Sequence, residues 1–154
     1  MRFSTTYHRW ELMKSKLGAI FPILPENVER LFDQKQTVFV KYTKFKELER
    51  GSKIVFYVSK EKKLIGEGTV ERVEKANPKT AWAHYGRRIF LNETEYNQYV
   101  SKSPVDGRNR KTVEITLFIL KKLKKYRNPV QWTYSITPSG FYITREKYKE
   151  LRLT

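Results

Sequence analysis

Apolar residues in this chain come in short alternating or continuous runs, separated by polar turns that carry glycine or proline. Residues 53–59 (KIVFYVS) are β-branched and aromatic, with Gly51 before them and a polar segment after, and they predict a strand. Residues 64–73 predict a second strand, and Gly66 and Gly68 inside it predict a bulge or a barrel-closing bend. Residues 37–43 alternate, Val38 and Val40 facing one way and Phe39 and Lys41 the other. Further strands are predicted at 19–24 (broken by Pro22), 89–91, 112–120, 131–136 and 141–143, with Pro129 breaking the chain before the fourth of these.

Helical signals are fewer and more local. Pro25 and Glu26 open a helix whose buried face would be Val28, Leu31 and Phe32, ending near Gln34. Asn92 and Glu95 stand three apart, as a capping box requires, and start a helix through Tyr99. A closing helix is expected over 145–151, and Trp10, Leu12, Met13 and Leu17 form a stripe that would dock residues 1–17 on the rest. Residues 75–79 read as a turn, 80–88 as an irregular aromatic segment and 103–110 as an exposed loop. The expectation is one α+β domain over 1–154, built on a small mixed or antiparallel β-barrel with flanking helices.

Charge adds a function to this frame. Lysine and arginine number 32 against 16 acids, a formal net charge of +16. The excess is largest beyond residue 100, and a field of that size attracts polyanions in a salt-dependent way. Nucleic acid is the expected partner, since no amphipathic membrane helix stands out. The absence of cysteine excludes disulfides, thiolate zinc sites and thiol catalysis. His8 and His84 are the only histidines, no carboxylates sit at ligand spacing, and no metal or organic cofactor is expected. Apolar runs are too short to cross a bilayer, and Met1 leads into no signal core, so the expected compartment is the cytosol.

Two segments are candidates for phosphate contact. Residues 121–127 hold Lys121, Lys122, Lys124, Lys125 and Arg127, interrupted by Leu123 and Tyr126. If the preceding strand continues through them, Leu123 points inward and alternate lysines outward; the same lysines would also discourage edge pairing. Residues 82–88 place Trp82, His84 and Tyr85 beside Arg87 and Arg88, a combination that can stack on an unpaired base and hold its phosphate. The competing reading has Trp82 and Tyr85 plugging one end of the barrel, with Gly86 serving the turn.

The order Leu-x-x-Gly-x-Lys-Ile-Val-Phe-Tyr, hairpin, Gly-Glu-Gly-x-Val-x-x-Val resembles the PUA-like superfamily, which includes PUA, ASCH, EVE and YTH domains and archaeal members of unknown function. The resemblance implies a base-binding pocket between the first helix and the barrel mouth. It would be lined by Lys41, Tyr42, Thr43 and Lys44, with Trp82, His84 and Ser139 as neighbours. The implied function is nucleic-acid binding, RNA ahead of DNA, with an unpaired or modified base in an aromatic pocket. Some ASCH members are hydrolases of nucleic acids or modified nucleosides. Residues 33–41 keep the lysine and threonine of their entry motif as Lys35 and Thr37, but the glycine is replaced and Phe39 stands where a polar group is wanted. A basic protein–protein interaction module is the remaining alternative.

Overall fold

The structure is a computed structural model and describes residues 16–42, 47–102, 113–133 and 140–153. Six strands are β1 (Lys16–Pro22), β2 (Val38–Lys41), β3 (Lys53–Val58), β4 (Lys63–Ala76), β5 (Ile115–Gln131) and β6 (Phe141–Thr144). Four helices are α1 (Pro25–Phe32), α2 (Pro78–Tyr85), α3 (Glu93–Val100) and α4 (Arg145–Leu151), and a 3-10 turn, Gly86–Arg88, follows α2. The strands form one sheet in the order β2-β5-β4-β3-β1-β6. β1 and β3 are parallel, and every other neighbouring pair is antiparallel.

The expected barrel is not closed. Closure needs the two outermost strands to pair, and β2 and β6, each four residues long, remain at opposite ends of the sheet. The glycine strand does bend: register shifts fall between Leu64 and Gly66, between Glu67 and Thr69, and between Val70 and Arg72. Gly66 has a packing reason as well. A Cβ there would lie 2.6 Å from Cζ of Phe32 and 2.7 Å from the Lys124 carbonyl oxygen. Its absence lets α1 lie on the sheet, with Phe32 edge-on to Phe56 at 5.7 Å.

Successive strand residues face opposite ways, and two cores result. Ala19, Phe21, Ile54 and Phe56 join Leu31 of α1 and the α2–α3 side in the larger core. Ile20, Val55, Tyr57, Leu64, Tyr126 and Ile143 form the smaller one under α4.

Several expectations need correction. Residues 78–85 are α-helical, not irregular, because Asn77 caps the helix by accepting from the Lys79 N–H and Pro78 occupies its first turn. Pro129 does not break the chain: it lies inside the 17-residue β5. β2 pairs only with Thr116–Ile119 of β5, so at Pro129 the outer edge of the strand has no β2 neighbour needing its missing N–H. Ile89 makes an isolated bridge to Val38 in place of a strand. Of the strand expected over 131–136, Gln131 ends β5 and 134–136 lie outside the described residues. No helix among the described residues is long and apolar enough to cross a membrane.

Candidate nucleic-acid interface

The run 121–127 is the far half of β5, and a bulge decides where its side chains go. Lys121 pairs with Thr69 and Lys124 with Glu67, so β5 carries one residue more than β4 between these pairs. Lys122 takes up that excess with φ 52, in the left-handed region. The shift turns Leu123 onto Gly68, where an added Cβ would meet Leu123 Cδ2 at 2.8 Å. It turns Tyr126 to the α4 side. Lys121 and Lys124, opposite Thr69 and Glu67, share that side, whereas Lys125 opposite Gly66 reaches Asp33 at the end of α1 at 3.6 Å. Lys122, Lys124, Lys125 and Arg127 are exposed and Lys121 is half-buried.

Residues 33–37, between α1 and β2, tie this run to the second basic cluster. Asp33 contacts Lys125. Gln36 donates to the Arg87 carbonyl at 3.4 Å. Thr37 is bonded twice: its hydroxyl accepts from Arg88 Nη2 at 3.3 Å, and its carbonyl accepts from the Leu120 N–H at 2.9 Å. Arg87 and Arg88 therefore lie beside the start of the lysine run, with exposed Lys35 in the connecting loop. Arg72, which the sequence did not single out, extends the group. Its Nη2 donates to the Tyr85 hydroxyl at 3.0 Å, and that hydroxyl donates to Glu74 at 2.5 Å. The Tyr85 hydrogen bond, more than the Arg72 charge, holds the Glu74 carboxyl below its ordinary range. The Arg88 guanidinium lies 5.9 Å from the Tyr85 ring centroid.

Trp82, half-buried on α2, stacks on Tyr96 of α3 at 4.9 Å. It borders two surface hollows. One, about 540 Å³, is shared with His84, Arg87 and Arg88; the other, about 400 Å³, with Lys79, Tyr96 and Asn97. Tyr42 packs on Tyr99, one turn along α3 from Tyr96: its N–H donates to the Tyr99 hydroxyl at 3.0 Å and the two rings are 5.4 Å apart. Burial, with the Tyr42 phenol nearby, raises the proton affinity of the Tyr96 hydroxyl, which donates to the Pro78 carbonyl at 2.5 Å. Trp82 and Tyr42 thus contact different tyrosines, one turn apart on α3. Lys41 lies with its ammonium 6.0 Å from the Phe21 ring. Thr43, Lys44 and Ser139 lie outside the described residues.

Two further observations bear on chemistry. Phe39 is buried among Phe21, Phe56 and Phe90, so the position where an ASCH entry motif wants a polar group belongs to the core. Glu67, between the two glycines, is buried on the α4 side, where it accepts from Tyr126 at 3.1 Å and Tyr148 at 2.5 Å and pairs with Lys53 at 3.0 Å. Burial by itself would raise its carboxyl, but these hydrogen bonds prevail and hold it below the ordinary range. Among the described residues no three potential metal-ligating side chains gather.

Residues 16–145 match the family described as a domain of unknown function (DUF365). The chain belongs to that family. An uncharacterized protein of Methanocaldococcus jannaschii, MJECS03, is 32% identical over 104 residues, 64% of this chain and 95% of that protein. Large ribosomal subunit protein uL22 of Ureaplasma parvum is 31% identical over 122 residues, 76% of this chain but 36% of that protein. This DUF365 chain thus spans about a third of the uL22 relative's length. Among solved structures, ASCH from Zymomonas mobilis superposes with a TM-score of 0.74 at 20% identity, covering 90% of this chain and 96% of that one. The N-terminal domain of Staphylothermus marinus McrB gives a TM-score of 0.51 at 18% identity, covering 87% and 91%. These likenesses show that the chain shares its fold with those two structures.

Proposed function

We propose that this DUF365 protein binds nucleic acid, RNA ahead of DNA, across the surface formed by the far half of β5, residues 33–37 and the α2 end. The observation that carries the reading is the double bonding of Thr37. It brings the cluster at Arg87 and Arg88 next to the start of the run Lys121–Arg127, which supports a reading in which cations far apart in sequence serve one polyanion. Trp82, with Tyr96 behind it and a hollow on each side, is the stacking platform for an unpaired base. Similarity to a ribosomal subunit protein over three-quarters of this chain favours RNA.

The test is binding to single-stranded RNA, duplex RNA and duplex DNA across a salt series, with each recovered ligand checked for cleavage. Changing Lys121, Lys122, Lys124 and Lys125 together to Ala should weaken binding and lower the log–log salt slope by about 3, given roughly 0.7–0.9 per phosphate contact. Trp82→Ala should cost about 1–3 kcal/mol on unpaired bases and little on duplex. An unchanged salt slope in the lysine variant would sink the phosphate track. Cleaved ligand would instead revive the hydrolase reading.

A further inference from the structure

Four residues other than glycine have positive φ among the described residues, and all are cations: Lys35 (φ 54), Lys62 (φ 54), Lys122 (φ 52) and Arg152 (φ 52). Side chains with a Cβ are disfavoured there, and glycine or asparagine is the usual occupant. Each serves the backbone where it stands. Lys62 closes the β3–β4 hairpin, and Arg152 ends α4 in the left-handed cap that helices commonly adopt. Lys35 stands where the chain leaves α1, with the Gln36 N–H on the Arg30 carbonyl at 3.0 Å, and Lys122 in the β5 bulge. Lys35 and Lys122 both lie close in sequence to one backbone hydrogen bond between β2 and β5. The Leu120 N–H to Thr37 carbonyl bond is where β2 departs from β5; Lys35 lies two residues before Thr37, and Lys122 two residues after Leu120. Arg88 is bonded to the same Thr37. Among the described residues neither Lys35 nor Lys122 has a carboxylate partner, and both are exposed.

We propose that this fork between β2 and β5 is a phosphate-binding site whose cations are Lys35, Lys122 and Arg88. Three like charges brought to one strand split repel one another unless an anion lies between them. Two of them stand at left-handed positions where glycine would be less strained, yet each carries a full cationic side chain there. A compact, strongly charged anion fits lysine ammonium groups and an arginine fork together. The group is a phosphomonoester or one phosphodiester of a nucleic-acid backbone. In the second case the proposal deepens the function above and rests on it.

Lys35→Gly, Lys122→Gly and the double variant test the site, with Lys62→Gly as the control. Each substitution removes one charge and relieves one left-handed lysine, so all three single variants should raise the urea midpoint. Only the fork variants should lose single-stranded RNA affinity beyond the loss in Lys62→Gly, by about tenfold in the double variant. Titration with inorganic phosphate, followed by amide shifts, should perturb Thr37 and Leu120 in the native protein but not in the double variant. If native protein binds RNA and the fork variants lose no more than the control, the fork is wrong and the wider interface stands. Phosphate shifts at the fork without RNA binding would establish a free-phosphate site and overturn the nucleic-acid reading. Neither shifts nor RNA binding would overturn both.

Discussion

β5 is two strands in one. Its first six residues, Ile115–Leu120, are all buried and lie between β2 and β4. From Lys121 onward only β4 remains alongside, and Tyr126 is the single buried residue down to Gln131. A strand paired on both edges can be wholly apolar, because every backbone group is satisfied and both faces are covered. A strand with one open edge invites foreign pairing, and this one carries lysines, a bulge and Pro129, each of which blunts an edge. Those lysines are also the phosphate-facing charges of the proposed interface. Protection of the edge and recognition of a polyanion ask for the same residue types, and both are met by the one basic run over 121–127.

The sharpest way to break the contrast is to damage the buried half. Phe118 is fully buried, opposite Phe39 and 5.9 Å from Phe21. Phe118→Ala should cost about 4 kcal/mol of stability, read from urea denaturation. A cost near 1 kcal/mol would mean that the two halves are equally dispensable to the core.

Glu67 is the next test, since it anchors the charged half. Through Tyr126 it holds β5, and through Tyr148 it holds α4, while its other oxygen faces Lys53. Glu67→Ala leaves a lysine and two phenols without their acceptor and should cost about 3 kcal/mol. The pH dependence has a definite sign. The folded carboxyl is held below its ordinary value of 4.5, so its contribution is complete above that pH and is lost as pH falls through the lowered folded value. Native protein should therefore lose stability on acidification in that window, and Glu67→Gln should show a flatter profile. Parallel profiles would show that Glu67 is not the acid-sensitive anchor.

Local signals made much of the fold legible. The capping box at Asn92 and Glu95 forms as read, with bonds of 2.8 and 2.9 Å, and Pro25 opens α1. Where the reading failed, one residue type had two meanings. Asn77-Pro78 is turn chemistry in isolation and a helix start when an α-helix follows; Pro129 ends a central strand but is tolerated on an edge. Barrel closure was beyond local reading, because it depends on whether β2 and β6 meet. The candidate site divides in the same way. Its cations and Trp82 are visible by type, whereas the joining role of Thr37 and the left-handed Lys122 exist only once β5 is set in register with β2 and β4. Glu67, an acid between two glycines in a strand, was the signal for the α4-side cluster.

The smallest expected effect separates the two uses of the edge lysines. Lys125 and Asp33 are each about half exposed and 3.6 Å apart, so their pairing is worth at most about 0.5 kcal/mol. Lys125→Ala should barely move the urea midpoint, yet it should lower the salt slope of RNA binding by roughly 0.7–0.9. Asp33→Asn makes the opposite probe. It frees Lys125 from its partner without removing a cation, and it should strengthen binding at low salt while leaving the fold as it is. If neither change alters binding, Lys125 serves only to guard the edge, and the phosphate track runs through the other cations. If Lys125→Ala also encouraged self-association, one side chain would be shown to do both.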